Sequence, residues 1–212
     1  MTSVTTQQPI AFDEKDAYKD DDCKFSGRLL VEAFEGKFVH ATSRGRIPDM
    51  RVYQANTQRR RPPEFYKREF IVEYNGEKAG VCGVRFLGDN DIYRERDEDM
   101  PSLGCKGSCG LYCVLYAIEN ETIPPETCHV DHISVEARFR GRGIGKSLLD
   151  IAEIDAKRRG CKAIYLWVAT SNREQHLYEM QEYVIMEKYS LCGLVWCQTG
   201  EKEFARMEKT LV

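Results

Sequence analysis

Three observations predict an α/β fold with a mixed sheet flanked by helices. The strand-like run His129 to Val135 leads through Arg140-Gly141-Arg142-Gly143-Ile144-Gly145 into helical spacing at Lys146 to Arg159, then into a second strand-like run, Ala163 to Ala169. Strand, helix, strand over this distance is a right-handed crossover unit. Earlier, two alternating runs (Phe70, Val72, Tyr74 and Ala79, Val81, Phe86) flank Asn75-Gly76, the dipeptide that best supports a tight hairpin. Leu29, Leu30, Ala33 and Phe34 recur at helical spacing after Phe25, which marks an amphipathic helix.

The elements follow in order. Met1 to about Gln8 is polar and reads as a flexible terminus, leaving residues 9–212 as a single domain. Ile10 and Phe12 suit a first strand, and Gly36 a stop for the helix that follows. Ala41 to Pro63 holds Pro48, the run Arg59, Arg60, Arg61 and then Pro62-Pro63, which predicts a loop with one short helix. The arginine run suits a solvated loop or a contact with an anion. After the hairpin, residues 88–110 form a charged insertion, and Leu111 to Ile118 fits a buried helix or an added strand. Gly160 closes the helix after the glycine turn, and the strand at Ala163 to Ala169, apolar on both faces, is central. Ser171 with Glu174 makes a capping box for another helix through Leu177 and Tyr178. Strands around Tyr183 to Leu191 and Phe204 to Leu211 finish the chain.

Composition limits the function classes. The 212 residues carry 31 basic and 34 acidic side chains, a net charge of −3, so no global field draws the protein to nucleic acid. Only the run Arg59 to Arg61 offers a local site for it. No apolar run approaches the ~20 residues of a membrane span, and no basic-then-apolar signal opens the chain, so a cytoplasmic or nuclear protein without a membrane partner is expected. Nine cysteines, an odd number without a secretion signal, read as reduced thiols. Cys105, Cys109 and Cys113 share a four-residue spacing. Buried thiols are one reading of them, and a zinc site completed by His129 or Cys128 is the other.

The string Arg138 to Ser147 holds most of the chemistry. Three alternate glycines between strand and helix let the backbone approach a ligand, the exposed amides of the helix start point at it, and neighbouring arginines suit several phosphates. Gly145-Lys146-Ser147 invites a phosphate-loop reading, but Arg140 stands where that motif needs glycine. A dinucleotide fingerprint fails at Lys146, where a small residue is required.

Arg140-Gly141-Arg142-Gly143-Ile144-Gly145 resembles the R/Q-x-x-G-x-G/A signature of the GNAT superfamily of N-acetyltransferases. Leu177-Tyr178-Glu179 followed by Tyr183 is similar to its L-Y-E-K-x-G-F element, and Arg206-Met207-Glu208-Lys209 to its closing strand. Glu182 replaces the family's glycine, Glu174 a usual small residue, and Asn172 lies one position off the usual asparagine. The resemblance implies a twisted, largely antiparallel sheet of about six to seven strands with one splayed parallel pair. It implies acetyl-CoA as cosubstrate, with its pyrophosphate on the amides from Gly141 to Lys146, beside Arg140 and Asn172. The pantetheine arm would lie along Ile133, Ser134 and Val135.

The resemblance also implies a direct attack by an amine, from a small molecule or a protein, on the thioester. Tyr178 matches the family's acid. His129 and Asp131 share a strand face by alternation and match the two catalytic histidines of arylalkylamine-type members, with Asp131 replacing one. His132 is expected to face the other way in a structural role, and Glu73 is a weaker base candidate. The alternative is a non-catalytic module that binds acyl-CoA or a partner protein, suggested by Glu182, Glu174 and the insertion. The resemblance implies a monomer or a homodimer.

Overall fold

The computed structural model describes residues 10–12, 15, 17–89, 107, 122–172, 174–190 and 200–212. Its elements are β1 (Ala11–Phe12), α1 (Asp20–Ala33), α2 (Glu35–Ala41), α3 (Ile47–Arg59), α4 (Pro63–Tyr66), β2 (Glu69–Tyr74), β3 (Glu77–Phe86), β4 (Thr127–Val135), α5 (Ile144–Arg158), β5 (Ala163–Ala169), α6 (Gln175–Met180), β6 (Val184–Ser190) and β7 (Glu203–Thr210). One sheet runs in the order β1-β2-β3-β4-β5-β7-β6. Every neighbouring pair is antiparallel except β4 and β5, which are parallel and joined by the α5 crossover.

Local chemistry explains the elements legible in the sequence. Asn75 and Gly76 take φ of 55° and 76°, the doubly positive pair of a type I′ turn. Leu148, Leu149, Ala152 and Ala156 of α5 are fully buried with Cys82, Val84, Cys128, Val130, Ile164 and Leu166 of the strands. These residues make the main core on one sheet face. On the other face Phe25 and Leu29 of α1 meet Ile71 and Val81.

Three sequence expectations change. Gly36 lies inside α2, not at a stop; the break falls at Phe34, outside the helical region at φ −111° and ψ 21°. Ala41 to Pro63 is mostly α3, because Pro48 sits in its first turn, where a missing N–H costs nothing. No capping box joins Ser171 to Glu174: Glu174 donates its N–H to Asn172 Oδ1 at 2.9 Å, and Ser171 Oγ reaches Glu201 at 2.7 Å. The cysteine group at 105, 109 and 113, the insertion after residue 89, Leu111 to Ile118 and the terminus at 1–8 lie outside the described residues.

Helices α1 and α3 cross closely at Gly27, where an added Cβ would stand 2.6 Å from the Ala55 backbone nitrogen. Gly27→Ala must therefore separate two backbones. It is expected to lower unfolding free energy by about 1–3 kcal/mol, read as an earlier denaturant midpoint. Gly45→Ala, where a Cβ meets nothing within 4 Å, should leave the midpoint nearly unchanged.

Candidate active site

β4 and β5 pair only from Thr127↔Ala163 to Val130↔Leu166. Beyond that point β4 continues along β3 to Val135, and β5 continues along β7 to Ala169. The two strands therefore diverge, and a cleft of about 440 Å³ opens between them. Its walls include Asp131 to Ser134 of β4, Leu166 to Ala169 of β5, the α1–α2 junction at Glu32 to Lys37, Arg140, Asn172 and Tyr178.

The glycine turn sits at the end of β4. Gly141 and Gly143 have φ of 74° and 79°, and a Cβ on either would meet open space. Gly143 is the N-cap of α5, without a side-chain cap, and the helical ladder starts with Ser147 N–H donating to Gly143 C=O at 3.0 Å. Helix geometry leaves the amides of Ile144, Gly145 and Lys146 without helical acceptors, at the positive end of the helix dipole. Gly145 packs under Leu177 of α6, whose Cδ2 would stand 3.0 Å from an added Cβ. The flanking cations are unequal. Arg140 lines the cleft and bonds the Val135 carbonyl at 3.3 Å. Arg138 pairs with Glu77, Arg142 lies over Tyr74, and Lys146 pairs with Asp150 at 2.8 Å.

Tyr178 stands on the α6 wall, 6% exposed. Burial first, and then the nearby Glu174 charge, push its hydroxyl up, so it stays protonated at neutral pH. Glu182 adopts φ 67°, a left-handed position that favours glycine. The departure from the family pattern is thus a local backbone cost beside Tyr183.

A polar network on β4 joins the two candidate residues His129 and Asp131. Arg85 Nε lies 2.6 Å from Asp131 Oδ1, and His129 Nδ1 lies 2.9 Å from the same oxygen. Burial raises the Asp131 carboxyl, but the His129 hydrogen bond and the His129 and Arg85 charges outweigh it and hold it below the ordinary range. His129 stacks on Tyr165 at 4.8 Å and, unlike Asp131, is not among the cleft-lining residues. A bulge where Gly83 pairs with His132 but Val84 with Val130 breaks the alternation at Asp131. His132 consequently faces the α1 side with Asp131, against expectation, and lines the cleft. Glu73 lies on β2 against Ala11 and Lys78, away from the cleft. The arginine run ends α3, with Arg59 held by Asp20 at 2.6 Å and Arg61 over Phe65.

Sequence reasoning missed Lys37, which lies in the cleft between the rings of Phe34 and Phe204 at 4.6 and 4.8 Å. Its only sequence signal was its place after Gly36. Burial lowers its pKa to about 8 from the ordinary 10.5, with Glu201 opposing. Between those values the unfolded chain binds more protons than the folded one, so stability rises with pH through that window. Lys37→Met is expected to stabilise the protein at pH 7 by about 2 kcal/mol, allowing for the lost cation–π contact. The gain should fade as pH rises from about 8 to 10.5 and be absent above that, as denaturant titrations at several pH values would show.

Among the described residues no group of three metal-ligating side chains could hold a metal ion. Cys128 is buried in the α5-side core, and burial pushes its thiol far up. Among the described residues no helix is long and apolar enough to cross a membrane.

The acetyltransferase (GNAT) family model matches residues 30–183. An uncharacterized N-acetyltransferase of Methanocaldococcus jannaschii is 42% identical over 48 residues, 23% of this chain and 21% of that protein. The match thus spans about a fifth of that relative's length (21%). The fold is similar to a crystal structure of an acetyltransferase, with TM-score 0.57 and 21% identity over 97% of this chain and 100% of that one. It is also similar to PaiA N-acetyltransferase of Thermoplasma acidophilum in complex with coenzyme A, with TM-score 0.56 and 11% identity over 96% and 99%. An N-acetyltransferase of Staphylococcus aureus gives TM-score 0.54 and 17% identity over 97% and 100%. The splayed mixed sheet and the glycine turn are thus found together with a family match across most of the chain, which belongs to the GNAT family of acetyltransferases.

Proposed function

We propose that the protein is an acetyl-CoA-dependent N-acetyltransferase that moves the acetyl group directly to a primary amine of a small molecule or a protein. The observation that carries this reading is the glycine turn itself, which leaves the first amides of α5 bare at the end of β4 and sets its Arg140 in the wall of the cleft between β4 and β5. A diphosphate seated on those amides directs its attached arm along Ile133, Ser134 and Val135, which lie beyond the last β4–β5 pair. The arm ends at the cleft, where acetyl-CoA supplies an activated acyl carbon. The coenzyme A complex of the Thermoplasma acidophilum neighbour supports this choice of donor.

The residues divide the work by position. Arg140 at the cleft wall adds positive charge beside the helix start, and Asn172 holds the α6 approach through its bond to Glu174. Tyr178, with its proton retained by burial, is placed to protonate the departing thiolate. Asp131 is ion-paired with Arg85 and within hydrogen-bonding distance of His129, so it orients the β4 wall and is not a free counter-ion for a cationic amine. The acceptor enters from the side of Lys37, Phe34 and Phe204. The test is a mass-spectrometric screen of amines and peptides with acetyl-CoA. Acetylation of at least one acceptor above the no-enzyme rate is expected. Tight coenzyme A binding with no acetylated product would favour the non-catalytic alternative.

A further inference from the structure

Behind the β4 wall lies a buried polar pair that the cleft's other residues leave unexplained. Glu69 is wholly buried at the start of β2, its Oε2 has no hydrogen-bond partner, and the facing His132 Nε2, 4.0 Å away, has none either. Ser26 of α1 donates to Glu69 Oε1, and Tyr18 donates to the Glu69 carbonyl at 3.0 Å. Two orphaned groups of complementary chemistry at this separation are an expensive arrangement unless a proton moves between states there. Room for the ring exists only because residue 83 is glycine: a Cβ there would fall 2.3 Å from His132 Cε1. His132 is also one of the residues lining the cleft.

Resting on the acetyltransferase reading above, we propose that His132, oriented by Glu69, takes the proton from the acceptor's ammonium, with Glu69 as a positioning residue. The ammonium loses one proton to the imidazole, which passes it to solvent. The freed nitrogen forms a bond to the thioester carbonyl carbon, and the carbon–sulfur bond breaks. The proton then lost from the nitrogen balances the one that Tyr178 gives the thiolate. The Glu69 carboxylate stabilises the imidazolium between these events.

Other titrating groups around the pair are set apart. Tyr18, Tyr66 and Cys23, near α1 and α4, are raised by burial, Asp131 is lowered by its hydrogen bond to His129 and the facing Arg85, and Arg61 is the other charged side chain facing Glu69. Glu69 itself is raised by burial, with His132 opposing.

The test follows the histidine resonances of the full chain by NMR from pH 5 to 9, and the kcat/KM profile with acetyl-CoA and an amine found by the screen. His132→Gln should lower kcat/KM roughly 100-fold and remove the acidic limb. Glu69→Gln keeps the shape and an acceptor for Ser26. It should lower kcat/KM roughly 10-fold and move both the limb and the His132 resonance to lower pH. Gly83→Ala, which displaces the ring without changing charge, should mimic His132→Gln. The inference is overturned if His132→Gln stays within about threefold of the parent, if the limb disappears in His129→Gln instead, or if Glu69→Gln leaves the His132 titration unmoved. The NMR arm needs no turnover, so failure there is distinct from failure of the acetyltransferase reading, which would appear as absent coenzyme A binding or absent product.

Discussion

Gly143→Glu is expected to weaken coenzyme A binding roughly 100-fold or more, measured by calorimetry, while the protein stays folded. Gly143 caps α5 at φ 79°, and a Cβ there meets no atom within 4 Å. The substitution costs about 1–2 kcal/mol of backbone strain, against a typical folding free energy of about 5–15 kcal/mol. The carboxylate, however, enters the space in front of the Ile144, Gly145 and Lys146 amides and repels a diphosphate there. Gly143→Ala separates the contributions, since it adds the strain without the charge and should lose far less affinity. Unchanged affinity in Gly143→Glu would remove the α5 terminus from the binding site.

Tyr178→Phe is expected to lower kcat roughly 100-fold with coenzyme A affinity nearly unchanged. The phenyl ring keeps the packing that tyrosine makes in the main core, including the edge contact with Tyr183 at 6.2 Å. What disappears is one hydroxyl whose proton burial retains. Stopped-flow measurement of thiol release beside a calorimetric titration distinguishes this from a packing defect, which would lower the melting temperature and the binding together. An unchanged kcat would assign thiolate protonation to solvent.

Local chemistry decided which parts could be read before the structure. The Asn75-Gly76 hairpin, the glycine turn and the strands around α5 depend on neighbours within a few residues, and each lies where its pattern puts it. α3 was hidden because Pro48 reads as a breaker until its position in the first turn is known. His132 was assigned to the wrong face because the bulge at Asp131 depends on how β4 meets β3, and strict alternation contains no sign of it. The cleft residues Lys37, Phe34 and Phe204 come from separate parts of the chain, so only the folded arrangement shows them as neighbours. The glycine turn needed no such information, since its amides belong to consecutive residues.

The most direct measurement is a crystal structure of the full chain soaked with coenzyme A. The account predicts diphosphate oxygens within hydrogen-bonding distance of the Ile144, Gly145 and Lys146 amides, with the thiol between β4 and β5 near Tyr178. Density for the diphosphate at any other surface, with the α5 terminus in contact only with solvent, would contradict it.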